Sequence, residues 1–166
     1  MRAECLTLAL ILSITCLVPQ ARQLAPAPTV QYVTVTTAAS AASAAVGASI
    51  TLWADVTPRP RVHVYAAGAI DFTPVSIVIT PNVAVAVGKP TFPKPDVATA
   101  QGSTGNVPAY ARPFRIGQPI TIKPNVKAGD TLTVAGAVKY QACDDRLCYP
   151  ATAVPVSYTH LRAHET

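Results

Sequence analysis

A chain of 166 residues holds one domain of ordinary size with a real hydrophobic core. Aromatic residues are few at 6%, charge is low at 13% and there are 16 prolines, which argues against long helices. The net charge is +5, yet Arg59, Arg61, Lys89, Lys94, Arg112, Arg115, Lys123, Lys127 and Lys139 are scattered without a basic run or interleaved aromatics, so nucleic acid is not an expected partner.

Residues 1–21 place Arg2 before an apolar stretch over 6–18 and then Pro19, Gln20 and Ala21, the layout of a secretory signal peptide. About thirteen apolar residues are short for a membrane span. Export to an oxidising compartment follows, where paired cysteines are at home. Cys5 and Cys16 would leave with this segment, and Thr15, standing where lipid attachment at Cys16 needs a small residue, argues against an anchor. Residues 22–47 read as a flexible lead-in with a first, β-branched strand over 30–37. The Ala/Ser-rich residues 38–48 read as a flexible connection that buries little.

The domain itself is expected over residues 48–158. Residues 49–56 alternate, with Ile50, Leu52, Ala54 and Val56 on one face and Trp53 on the other. Short strands follow at 62–65, 75–79 and 83–87, punctuated by Pro58, Pro60, Pro74, Pro81 and Gly88. Residues 89–113 carry five prolines and two glycines and read as one long loop, a length that points to function or disorder. Strands at 114–116 and 119–123, a turn at 125–130, a long strand at 131–140 and a returning strand at 153–158 complete the pattern. Many short strands and no helical period predict an all-β, immunoglobulin-like β-sandwich with a long Pro/Gly-rich loop. Residues 159–166 are polar, resemble translated sequencing-adapter text, and read as a non-native tail, the native chain being expected to continue differently, with a membrane domain as one candidate continuation.

Between the last two strands stands Tyr140-Gln-Ala-Cys143-Asp-Asp-Arg-Leu-Cys148-Tyr-Pro150, with the only two cysteines outside the N-terminal segment. A ring this small is stabilised by about 2 kcal/mol on loop-closure arithmetic, little for a staple. A disulfide here would lie at a strand-to-strand turn on the rim of a sheet, open to a partner. From the residues alone, a structural bond and an exchanging one stay equally open.

The cysteine motif, with residues 128–134 before it and a Pro-Val strand after it, resembles the N-terminal periplasmic domain of the thiol:disulfide interchange protein DsbD and its relatives. The resemblance extends upstream through residues 61–65, 75–81, 92–95 and the neighbourhood of Tyr110. It implies that Cys143 and Cys148 are a redox-active pair, that Cys148 exchanges with partners and that Cys143 resolves. The spacing departs from that of a known family member, having four residues between the cysteines instead of five. It further implies that Tyr65 flanks the site, and that an aromatic cap covers the disulfide. Residues 96–106 hold no aromatic, which leaves Phe92 or Tyr110 as candidate caps. Asp144 and Asp145 would disfavour a thiolate and Arg146 would favour one, so these charges nearly offset. Tyr149 and Pro150 would shape the turn, and His63, on the face of Tyr65, reads as structural. No cofactor or metal is expected, since two cysteines and one histidine before the tail do not make a zinc site.

The function implied is a thiol–disulfide oxidoreductase domain that takes electrons from a membrane-embedded reductase domain, on the same or a separate chain, and passes them to periplasmic thioredoxin-fold proteins. The alternative is a non-catalytic exported β-sandwich binding module with a structural disulfide. A chaperone or metal-delivery role is disfavoured by the lack of Met and His clusters.

Overall fold

The computed structural model describes residues 30–99 and 106–164, so the expected signal segment with Cys5 and Cys16 lies outside the described residues. All regular structure among the described residues is strand, in the order β1 Val33–Ala39, β2 Ser43–Ala45, β3 Ser49–Pro58, β4 His63–Tyr65, β5 Ser76–Ile79, β6 Val85–Val87, β7 Asp96–Thr99, β8 Asn106–Tyr110, β9 Phe114–Ile122, β10 Thr131–Tyr140, β11 Ala142–Cys143 and β12 Thr152–His164. Three four-stranded sheets form, ordered β1-β3-β9-β6, β2-β12-β10-β5 and β11-β4-β8-β7. The first two supply most of the core of an immunoglobulin-like sandwich, and the third carries the cysteine turn at one edge.

The period-2 pattern of β3 translates directly into packing. Ile50, Leu52, Ala54 and Val56 point inward and are buried, opposite Ile116, Ile120 and Ile122 of β9 and Val134 and Val138 of β10 in one cluster. Each fully buried branched side chain contributes about 1.5–3 kcal/mol relative to exposure. Trp53 lies on the outer face, where the Arg115 guanidinium sits 5.4 Å from its ring centroid. Gly117, paired with Trp53, makes room for it, because a Cβ there would come within 2.7 Å of the indole. The inward position 118 is filled by a polar residue, Gln118, which satisfies its amide by donating to the carbonyls of Gly88 and Pro119.

Four expectations need correction. The first strand runs over Val33–Ala39 instead of starting at Val30, since its register is set by pairing with β3, Val33 opposite Pro58. The Ala/Ser-rich stretch is not merely a connection: Ser43–Ala45 pairs in parallel with the end of β12 and buries Ala44. The segments expected at 114–116 and 119–123 form one strand, Phe114–Ile122, running through Pro119 and held in a single register by pairing with β3 on one side and β6 on the other. The long Pro/Gly-rich loop contains a hairpin, β7 against β8, that completes the third sheet.

The last strand continues through residue 164. A register shift between Leu132 and Val134 places an extra residue in β12, with Leu132 opposite Leu161 and Val134 opposite Tyr158. Such a bulge flips the side-chain phase. Leu161 and Ala163 thereby join Val156 and Tyr158 in the core, although the polar segment around them breaks the simple alternation.

Candidate functional site

The third sheet has two dissimilar faces. In its register Ala142 pairs with Val64 and Val64 with Tyr110, and these three face the main core. The alternate positions point the other way: Cys143 pairs with His63, and Tyr65 with Ala109. Tyr65, Val107, Ala109 and Cys143 form a second buried cluster, against which Ala69, Phe72, Ala98 and Cys148 pack. The site is therefore the back of a sheet whose front belongs to the core.

Cys143 and Cys148 are joined in a disulfide. Cys143 is fully buried, whereas Cys148, beyond the turn, is half-buried. The Tyr65 hydroxyl lies 3.1 Å from Cys143 Sγ and 3.4 Å from Cys148 Sγ. Disulfide sulfurs carry no proton, so the hydroxyl donates. Burial pushes the Tyr65 phenol above its ordinary value, which keeps that donor protonated at neutral pH.

The turn between the cysteines is organised by Asp144. Its carboxylate accepts the backbone N–H groups of Arg146 and Leu147 and the Tyr149 hydroxyl. These donors, Tyr149 first, hold its carboxyl down at about 2. Asp144 is thus a turn-maker with its charge engaged by donors, a role beyond the field at the sulfurs expected of it. Tyr149 in turn stacks on Tyr32 at a centroid separation of 3.8 Å and its N–H closes on the Ala142 carbonyl. The Tyr140 hydroxyl accepts the Tyr32 N–H and donates to Gln31, tying the start of β1 to the strand that leads into the turn. Asp145, Arg146 and Pro150 are exposed, and with Asp144, Pro60, Arg61 and Val62 the first two line a cleft of about 270 Å³ beside the turn.

Of the candidate caps, Tyr110 is brought elsewhere. It stacks on Phe114, donates its hydroxyl to the Pro93 carbonyl and belongs to the main core, because its place in β8 has the parity of Val64 and not of Tyr65. Phe92 is 37% exposed on the segment next to the Thr91–Gly117 bridge. The tip of the β7–β8 hairpin, residues 100–105, lies outside the described residues. The ring stacked on Tyr65 is Phe72, at a centroid separation of 4.0 Å. It is carried by the loop after β4, whose return is fixed by Val75 N–H to the Tyr65 carbonyl and by Thr73 N–H to the Gln141 side chain. Gly68 and Asp71 in this loop adopt positive φ, a conformation suited to a tight excursion. The only sequence signal for Phe72 was an aromatic residue within a turn-forming stretch.

His63 is expected from the sequence to be structural. It shares the face of Tyr65, meets its ring edge-on at 5.4 Å, and its Nε2 is buried without a hydrogen-bond partner among the described residues. Burial lowers its pKa, opposed by the charges of Asp145 and Asp144. Among the described residues no group of three or more His, Cys, Asp or Glu side chains is arranged to hold a metal ion.

Solved structures that resemble the chain include two N-terminal domains. The N-terminal periplasmic domain of ScsB from Proteus mirabilis aligns with a TM-score of 0.58 at 13% identity, over 79% of this chain and 47% of that one. The chain thus spans about half the length of that domain structure. The Neisseria meningitidis DsbD N-terminal domain in the reduced form aligns with a TM-score of 0.48 at 15% identity, over 75% of this chain and 88% of that one. No curated protein matches the sequence. The family model for the N-terminal part of thiol:disulfide interchange protein DsbD matches residues 29–158, and the disulfide lies within that span, in keeping with thiol–disulfide exchange. The chain belongs to the family of DsbD N-terminal domains.

Proposed function

We propose that this protein is an exported electron-relay domain. Its Cys143/Cys148 pair is reduced by the dithiol of a membrane-embedded reductase domain, on the same or a separate chain, and reduces the disulfides of periplasmic thioredoxin-fold proteins. Family membership supports the exchange chemistry, and the matched ScsB domain is itself periplasmic. The observation that carries the reading is the asymmetry of the pair: Cys143 is buried, Cys148 is half-buried, and one tyrosine hydroxyl reaches both sulfurs.

That asymmetry supports Cys148 as the exchanging sulfur and Cys143 as its resolver. An incoming thiolate attacks Cys148 Sγ, forming a mixed disulfide, and the electron pair of the broken bond leaves on Cys143 Sγ. A thiolate released inside the cluster lacks solvent, so the Tyr65 hydroxyl takes over part of its stabilisation. The partner's second thiol then displaces Cys148, and two electrons and two protons have moved into the domain. Discharge to a thioredoxin-fold disulfide runs the same steps in reverse.

The test is to equilibrate the protein against glutathione and dithiothreitol buffers, trapping thiols by alkylation. An exchanging pair has a potential above about −300 mV, and Cys143→Ser, but not Cys148→Ser, traps a mixed disulfide with a thioredoxin-fold protein. A bond that resists reduction until the domain unfolds would make it a staple and the chain a binding module.

A further inference from the structure

The register of the third sheet sets His63 directly opposite Cys143. Directly opposed residues on an antiparallel pair have Cβ atoms about 4.5–5.5 Å apart on the same face. Tyr65, two positions along β4, shares that face, contacts both sulfurs and touches the imidazole edge-on. The imidazole therefore belongs to the wall of the cluster that holds the buried sulfur. Its Nε2 is buried and has no hydrogen-bond partner among the described residues. Buried polar atoms are satisfied as a rule, and an exception beside a reactive bond calls for a partner that appears in another state of the site. Reduction creates one: the Cys143 thiol, a donor absent from the disulfide form.

We propose that His63 is the base that accepts the Cys143 proton when the reduced domain discharges, and returns it when the domain is loaded. The inference rests on the relay reading above and adds the group that handles its buried proton. In discharge, Cys148 gives its proton to water and its thiolate attacks the disulfide of a thioredoxin-fold protein, forming a mixed disulfide and expelling one partner thiolate, which takes up a proton from water. Cys143 then passes its proton to His63 Nε2 and attacks Cys148 Sγ. The Cys143–Cys148 bond re-forms, the second partner sulfur leaves with its electron pair and is protonated, and His63 releases its proton to water. The domain dithiol is oxidised to a disulfide and the partner disulfide is reduced to a dithiol, with electrons and protons in balance.

The charged and titratable groups around the imidazole fit this role. Tyr65 stands beside it on its own strand and Cys143 opposite it on β11, while Asp144 and Asp145 on the turn act on it electrostatically. Arg61 and Arg146 line the adjoining cleft with those two carboxylates. Burial, the larger effect, favours the neutral imidazole, the form with a free lone pair, while the nearby carboxylates oppose it and favour the protonated form.

The experiment compares the wild-type chain with His63→Gln, reading the discharge rate to a thioredoxin-fold disulfide from about pH 5 to 8, the range of histidine titration. The wild type is expected to show an inflection that His63→Gln lacks, with the variant at least about tenfold slower at neutral pH. A second measurement needs no variant: the His63 ring titration is followed by NMR in the oxidised and reduced wild type, where its midpoint is expected to move between the two states. Superimposable rate profiles, or an imidazole titration indifferent to the redox state, overturn the proposal while leaving the relay intact. A wild-type disulfide that does not exchange at all overturns both.

Discussion

The Tyr65 hydroxyl stands 3.1 Å from Cys143 Sγ, within a cluster where Cys143 has no solvent exposure. β4 and β11 are adjacent strands, so the contact is built into the register of the third sheet and not into a movable loop. A hydrogen bond to a charged group is worth about 1.5–3 kcal/mol. Tyr65→Phe keeps the ring, its stacking on Phe72 and the packing, and removes only the donor. Exchange is expected to slow by about 10-fold to 100-fold with little change in melting temperature, measured by stopped-flow reduction with a protein dithiol. A variant as fast as wild type would remove the hydroxyl from the mechanism.

Phe72, stacked on Tyr65 and packed against the cluster with Cys148, is the side chain placed to limit access to the bond. Phe72→Ala should raise the rate of dithiothreitol reduction several-fold, since exposure governs attack on a disulfide. Phe92→Ala should leave that rate near wild type. Tyr110→Ala should act on the core instead, destabilising the fold by about 3–5 kcal/mol as large aromatic deletions do. Equal acceleration by Phe72→Ala and Phe92→Ala would return Phe92 to the role of cap.

Asp144 gives the domain a stability that depends on pH. Its carboxyl, held down to about 2 by the Tyr149 hydroxyl and the N–H groups of Leu147 and Arg146, sits below its ordinary value of 3.8. The folded pKa is depressed, so the contribution is fully present above the unfolded value and is lost as pH falls from about 4 through 2. Thermal unfolding followed across that window should show a steeper loss for the wild type than for Asp144→Asn. Identical slopes would mean that the carboxylate's hydrogen bonds do not hold the turn.

How much of this could be read beforehand differs from element to element. β3 was legible because a half-buried strand writes its burial into a period of two, and Leu52, Ala54 and Val56 are fully buried as that period requires. β7 and β8 were not, because Pro93, Pro95 and Pro108 mask a hairpin whose strands are only four and five residues long. The continuation of β12 was hidden for another reason: the bulge opposite Leu132 and Val134 shifts the phase, and a phase shift looks like the end of a strand.

At the site, composition and position made the cysteine pair stand out, and the resemblance to the DsbD family pointed to Tyr65. The local sequence by itself determines the small ring, the Asp144-centred turn and the alternation that separates the two faces of each strand, since all of these depend on near neighbours. Only the tertiary structure decides that Cys143 faces His63 and Tyr65, that Tyr110 turns to the core, and that Phe72 covers the tyrosine ring. The strand pairings of Tyr110 and Cys143 join residues from 46 to 80 positions apart, and the Phe72–Tyr65 stack is closed by the loop between β4 and β5. A register slip of one residue would send Cys143, His63, Tyr65 and Tyr110 to the opposite face, and nothing in the local sequence around either partner states the register.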